Sequence, residues 1–315
     1  MEERLKVVFM GSGAFAVPSL EALVREGYRV VAVVTQPPRP AGRHRKLTPP
    51  PTMEAAQRLG LKLLHPETVR SPEAVADLRR LRPDLIVVAA YGQILPTSVL
   101  RIPPRGCLNV HGSLLPRWRG ASPVQTAILE GDEFTGVTVM SMEPTMDTGP
   151  ILGQSLTRID DSDEAPELES RLARAGAALL TSVLPFYLDG SLTPVPQDPA
   201  LVTYASMIEK GNGLIDWMLP ARQIWRASRA YKPWPGTYSY WKGRLLKVVS
   251  SWPEDATVAG EEPGAVVPMG GGKEVGVVTG SGVLVLREVA LEGGKTVGAR
   301  EFLLGHRDFL GSKLG

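Results

Sequence analysis

Three side chains in the middle of the sequence have the types that acyl transfer to an amine requires. Asn109 and His111 flank Val110 at the end of an apolar stretch, and strand geometry puts residues two apart on one face. Asp147 opens a second polar turn, Asp147-Thr148-Gly149, after another apolar stretch that ends near Met142. When an amine attacks a carbonyl carbon, a proton leaves the nitrogen and negative charge grows on the oxygen. An asparagine amide donates to that oxygen, and an imidazole relays the proton or shares in holding the charge. A carboxylate keeps the imidazole or a bridging water in place. Together the three suit transfer without a covalent enzyme intermediate. Their spacing alone is met equally by a histidine capping a strand and an aspartate capping a turn.

Positioning them requires a sheet, and the first half of the sequence supplies the pattern for one. Strands are expected at Leu5–Met10, Arg29–Thr35, Leu61–Leu64, Leu85–Ala90, Cys107–His111 and Gly136–Met142. Helices are expected at Val17–Glu26, Met53–Leu59, Ser71–Leu81 and Glu167–Asp189. Strand–helix alternation implies an α/β fold, a Rossmann-like open and mostly parallel sheet covered on both faces. Such sheets bind ligands at the carboxyl ends of their strands, where Asn109 and His111 fall. Pro194, Pro196 and Pro199 then interrupt any period, so 190–208 reads as a linker between a catalytic domain at 1–189 and a second domain at 209–315. In the second, a helical stretch near Ala221–Tyr231 precedes short strands at Thr237–Trp241, Leu245–Ser250, Gly264–Val267, Glu274–Thr279 and Val283–Val289. Gly-rich turns between them point to a small OB-like β-barrel, with Trp234 and Trp241 expected in its core.

Composition narrows the function. The 315 residues suit about two domains, and 43% hydrophobic with 22% charged residues is ordinary globular usage. A net charge of +2 argues against coating nucleic acid through bulk charge, though not against a local basic site. One cysteine, Cys107, excludes an intramolecular disulfide, and with only four histidines no metal site is expected. The N-terminal residues follow neither signal- nor transit-peptide grammar, and no apolar run nears the length of a membrane span. The expectation is a cytoplasmic protein with no membrane contact. Scarce Asn, abundant Pro and more Arg than Lys fit a thermophilic source.

Gly11-Ser12-Gly13-Ala14-Phe15-Ala16 matches the dinucleotide fingerprint G-x-G-x-x-A. The acid that binds a ribose about 20 residues on is absent, because the second strand ends Val34-Thr35-Gln36. A tight strand-to-helix turn, with no nicotinamide, is the expected role.

The run Asn109-Val110-His111-Gly112-Ser113-Leu114-Leu115-Pro116-Arg117-Trp118-Arg119-Gly120, followed by Asp147-Thr148-Gly149, resembles the folate-dependent formyltransferases. The resemblance extends over nearly the whole sequence. It includes Thr35-Gln36-Pro37, Arg39-Pro40-Ala41-Gly42-Arg43, Ala90–Pro96, Leu201–Tyr204, Ile215-Asp216-Trp217 and Pro233-Trp234-Pro235-Gly236. It implies a formyl group passing from the co-substrate 10-formyltetrahydrofolate to the α-amine of methionine on initiator tRNA, by direct attack through a tetrahedral intermediate. It also implies that Asn109, His111 and Asp147 are the catalytic triplet. Ser113, Leu114, Leu115 and Pro116 fall on the folate-contacting segment. Tyr91, Gly92, Ile94 and Leu95 belong to a loop that lines the pterin pocket, with Ile94 and Leu95 as apolar walls. The sequence departs from the family pattern in lacking a proline in the 11–16 turn. Met207 stands where lysine is common, and His44 where a small residue is common.

A long basic segment at 36–51 interrupts the αβ alternation, where connections usually span about 2–6 residues. Arg39, Arg43, Arg45 and Lys46, with no acid among them, form a phosphate-seeking arm expected to meet tRNA. Arg222, Arg226, Arg229, Lys232, Lys242, Arg244 and Lys247 of the second domain are weaker candidates. The chief rival acceptor is an amino-sugar nucleotide, which needs no basic arm. A glycinamide ribonucleotide transformylase needs no second domain, and a folate- or RNA-binding module needs no turnover. No protein partner is implied, and a monomer is expected.

Overall fold

The computed structural model describes residues 5–41 and 46–315. The chain forms two compact units: Met1–Pro123 with Glu133–Ile159 and Glu167–Ala205, and Val124–Asp132 with Asp160–Pro166 and Ser206–Gly315. Arg43 and Arg45 lie outside the described residues.

The first unit is built on a seven-stranded sheet in the order Ile151–Arg158, Phe134–Ser141, Cys107–His111, Leu85–Ala89, Lys6–Gly11, Arg29–Val34 and Leu63–Leu64. From Leu63–Leu64 through Cys107–His111 the strands are parallel. Phe134–Ser141 and Ile151–Arg158 add in antiparallel fashion. The central strands read as continuous apolar runs because both faces are covered: every residue of Leu85–Ala89 is buried. The mostly parallel α/β sheet expected from the alternation is therefore present. Helix Pro72–Leu81 starts where its sequence directs, with Ser71 Oγ accepting from the Ala74 N–H at 3.1 Å and Pro72 in the first turn.

The Ile151–Arg158 strand has no counterpart in the sequence reading. It is an edge strand whose residues alternate between inner and exposed positions, so Gly153, Gln154 and Ser155 dilute the apolar signal that betrays central strands. The proline-rich stretch after Gly190 lies along the first unit. Val195 exchanges two 2.8 Å backbone hydrogen bonds with Ile151, and Tyr204–Ala205 pairs with Arg119–Gly120. The basic segment carries a short ladder between Arg39–Ala41 and Lys46–Thr48.

Gly11 is required by packing. A Cβ there would lie 2.6 Å from the Ala16 Cβ and 2.8 Å from the Ala89 carbonyl oxygen, which fits a close turn at this point of the sheet.

The second unit is an antiparallel β domain. Its strands run Thr237–Trp241, Arg244–Glu254, Val283–Leu291, Glu274–Val278, Val266–Met269, with Val297–Gly298 beside Val283–Leu291. Among the described residues no ladder joins the two end strands, so antiparallel β is established and closure into an OB-like barrel is not. Trp217, Trp225, Trp241, Leu284, Phe302 and Phe309 form its core. Trp241 sits where expected. Trp234 does not: it is 56% exposed in the turn between Pro233 and Pro235, which places it outside the packed strands.

Several basic residues of this unit are engaged in its own packing. The buried Arg229 guanidinium donates to the carbonyl oxygens of Asp163 at 2.7 Å and Asp160 at 2.6 Å and stacks on Trp225. Its burial lowers its pKa from the usual guanidinium value. Lys232 pairs with Glu164 and Lys242 with Asp308. Arg229 is thus a structural cation, and the exposed basic face is narrower than the sequence implied.

Candidate active site

Strand Cys107–His111 pairs with Leu85–Ala89 on one side and Phe134–Ser141 on the other. Leu108 and Val110 face the covering helix Ala165–Leu188, where a Cβ on Gly176 would come within 2.7 Å of Val110 Cγ1. Small Gly176 therefore lets the helix settle closely on that face. Asn109 and His111 project to the other face, as period two demands. Asn109 is half-buried, and its amide makes no hydrogen bond among the described residues.

His111 is only 6% exposed. Its Nε2 lies 2.9 Å from the Trp118 carbonyl oxygen, which can only accept, so Nε2 carries a proton. Nδ1 is then the nitrogen left to take or give one, and it faces Asp147 Oδ2 at 3.8 Å. That carboxylate oxygen also accepts from the Gly120 N–H at 2.9 Å. The triplet expected from the sequence is thus gathered at one end of one strand.

The loop between them is held tightly. Thr138, directly across from His111 in the ladder, donates to the Ser113 carbonyl at 2.7 Å and accepts from the Leu115 N–H at 3.0 Å. Gln154 donates to the Leu115 carbonyl at 2.8 Å and to Thr138 Oγ1 at 2.9 Å. Ser113 Oγ donates to the Arg117 carbonyl at 2.5 Å. Ser113 and Leu115 are fully buried, whereas Leu114 and Pro116 are half-buried. Trp118 and Asp147 adopt left-handed backbone conformations, φ +60 and +56. Such conformations persist only where neighbours over-determine them. Here Trp118 N–H donates to Thr203 Oγ1 at 2.9 Å while its carbonyl serves His111.

Gly149 completes the turn because no side chain fits. A Cβ would fall 1.8 Å from the Ser141 carbonyl oxygen. Gly149→Ala is expected to cost about 1–3 kcal/mol through forced backbone displacement, read as a lower urea midpoint. Turnover falls with it, because the displaced turn carries Asp147.

The Tyr91–Leu95 loop is anchored elsewhere in the unit. The Tyr91 carbonyl accepts from Ser12 Oγ at 3.0 Å and Gln36 Nε2 at 3.4 Å. Tyr91 and Leu95 belong to a core cluster with Met10, Val34 and Val88. Gly92 has φ +82, and Ile94 is 56% exposed. The Tyr91 hydroxyl is buried without a hydrogen-bond partner among the described residues, and burial pushes its pKa up to about 12. No hydrogen bond joins this loop to the triplet among the described residues. Of the basic arm, Arg39 is exposed and pairs with Glu67 at 2.8 Å, a contact worth little in solvent. Lys46 is exposed.

Sequence reasoning missed Thr138, Gln154, Gln197 and Thr203, which fix the loop. Only the Val-Thr-Tyr word, part of the Leu201–Tyr204 stretch that carries the resemblance, signalled that the expected linker is more than a spacer. No group of three His, Cys, Asp or Glu side chains able to hold a metal occurs among the described residues. No helix among them is long and apolar enough to cross a membrane.

Two family models match successive stretches of the chain. Residues 4–184 match the family model "Formyl transferase" and residues 207–307 match "Formyl transferase, C-terminal domain". A methionyl-tRNA formyltransferase of Chloroflexus aggregans is 48% identical over 287 residues, covering 90% of this chain and 92% of its own. Another, of Geotalea daltonii, is 45% identical over 313 residues, covering 99% and 98%. Among solved structures, an N-formyltransferase of Helicobacter canadensis in complex with folinic acid and dTDP-3-aminofucose shares the fold. Its TM-score is 0.66 at 17% identity, covering 90% of this chain and 98% of that one.

Proposed function

The chain belongs to the formyl transferase family, and from that premise we propose that it formylates the α-amine of methionyl initiator tRNA for translation initiation, using 10-formyltetrahydrofolate. The identity to methionyl-tRNA formyltransferases over nearly the full length carries the choice of acceptor. The gathering of Asn109, His111 and Asp147 carries the chemistry.

The residues present fit a folate co-substrate. The half-buried Asn109 amide is without a protein partner among the described residues, and Ile94 offers exposed apolar surface to a flat heterocycle. Leu114 and Pro116 have surface left to touch it, whereas Ser113 and Leu115 hold the segment from behind. The co-substrate supplies an activated formyl carbon. Asn109 donates to the formyl oxygen as charge grows there. His111 moves the amine proton at Nδ1, and Asp147 steadies that nitrogen as it gains charge. Arg39, Arg43, Arg45 and Lys46 take tRNA phosphates, aided by exposed cations of an OB-like second domain. The protein works as a cytoplasmic monomer, with 1–189 as its catalytic domain.

The test offers the purified protein 10-formyltetrahydrofolate with initiator methionyl-tRNA, elongator methionyl-tRNA or a dTDP-amino sugar. Formylation of the initiator, weakening as salt rises because phosphate contacts release counterions, is the expected result. Formylation of the sugar nucleotide alone overturns the reading. Arg43→Ala should reduce the log–log salt slope of tRNA affinity by about 1 while folate binding stays as it was. Equal losses for both substrates would remove the basic arm from tRNA recognition.

A further inference from the structure

We infer that Gln197 is a positioning residue for the transfer, one side-chain amide that locks the Asp147 turn to Arg119 and so sets the carboxylate that faces His111. The inference rests on the assignment of Asp147 and His111 to the reaction.

Gln197 is half-buried between the exposed Pro196 and Asp198. Its amide is saturated. Oε1 accepts from Arg119 Nε at 3.0 Å and from a terminal Arg119 nitrogen at 2.7 Å. Nε2 donates to the Asp147 carbonyl and to the Gly149 carbonyl, both at 2.8 Å. A primary amide has two donor hydrogens and two acceptor lone pairs, and all four are used. Its orientation is also dictated, since a flipped amide would set NH2 against a guanidinium and oxygen against two carbonyls. No other neutral side chain of this length offers two donors and two acceptors from one planar group.

What it holds matters as much. Asp147 sits at φ +56, a conformation that needs external support. Gly120 N–H fixes its carboxylate, and Gln197 fixes its backbone directly while being held in turn by Arg119, the residue before Gly120. Trp118, one residue earlier, fixes His111. Residues 118–120 therefore orient both members of the acid–base pair, and Gln197 closes the circuit between them. Arg119 is 9% exposed, so its charged bonds to Gln197 lie out of solvent, where they are strong.

The experiment compares wild type with Gln197→Met, Gln197→Glu and Asp147→Ala, measuring kcat, KM for each substrate and Tm. Methionine keeps the volume and loses every bond. Glutamate keeps, and strengthens, the Arg119 contacts but has no donor for the two carbonyls. Both Gln197 variants should lose kcat on the order of 10²-fold, the scale of a roughly 1 Å misplacement, with KM for both substrates unchanged. Wild-type kcat in Gln197→Glu would overturn the inference, because the Arg119 contact would then suffice. A loss of activity that tracks a lower Tm, and disappears at temperatures where the variants are fully folded, would also overturn it. If Asp147→Ala retains turnover, the assignment of Asp147 fails and takes the inference with it. If Asp147→Ala is inactive while both Gln197 variants match wild type, only the inference falls.

Discussion

His111→Ala lowers kcat by about 10²–10⁴-fold, the usual contribution of a positioned proton-transfer group, while affinity for tRNA is kept. The expectation follows from how the ring's two nitrogens are used. Nε2 is committed to the Trp118 carbonyl, which orients the ring, and Nδ1 is left facing Asp147. Alanine removes the proton carrier and leaves a carboxylate that is 13% exposed without the group it faces. Truncating a buried ring also opens a cavity, so a fall in stability alone could mimic the effect. His111→Gln separates the two, because it restores volume and can donate to Trp118 but offers no nitrogen able to take up a proton. It should be as inactive as alanine while recovering Tm. Turnover is read by formylation and tRNA affinity by filter binding under matched salt. Unchanged turnover in either variant removes His111 from the reaction.

The sequence made the strand that carries the site legible to the residue: Cys107–His111 is apolar except where it turns two polar side chains to one face. The central sheet was legible for the same reason, since doubly covered strands are continuous apolar runs. Contacts that are local in space and distant in sequence were not. Thr138 lies 25 residues from Ser113, Gln154 lies 39 from Leu115, and Gln197 lies 50 from Asp147. Such polar bonds leave no periodic trace, because each needs one side chain at one place. The stretch after Gly190 looked like a spacer because its backbone bonds run mainly to Ile151, Pro116 and Arg119, with a single short turn at Asp198–Leu201 closing on itself. Prolines disguise such a segment, since they break the period that marks a regular strand. Arg229 misled in the opposite way. Its charge promised a surface contact, yet its bonds go to two carbonyl oxygens inside its own unit.

Asn109→Ala should lower kcat by about 10²–10³-fold with KM and Tm little changed, the loss expected for one oxyanion donor. This amide is the cleanest of the three to remove. It makes no hydrogen bond among the described residues, so its loss strands no buried partner there. It is half-buried, so truncation leaves little cavity. An interaction made only as charge builds on the formyl oxygen acts on kcat and not on substrate binding. Asn109→Asp sharpens the test. The carboxylate has nearly the shape of the amide, but it presents only acceptors to an oxygen that is gaining negative charge. It must therefore be slower than alanine, because it replaces an absent donor with a repulsive one. An aspartate variant that matches or exceeds the alanine variant would mean that residue 109 does not meet the formyl oxygen. The oxyanion donor would then have to come from elsewhere at this end of the sheet.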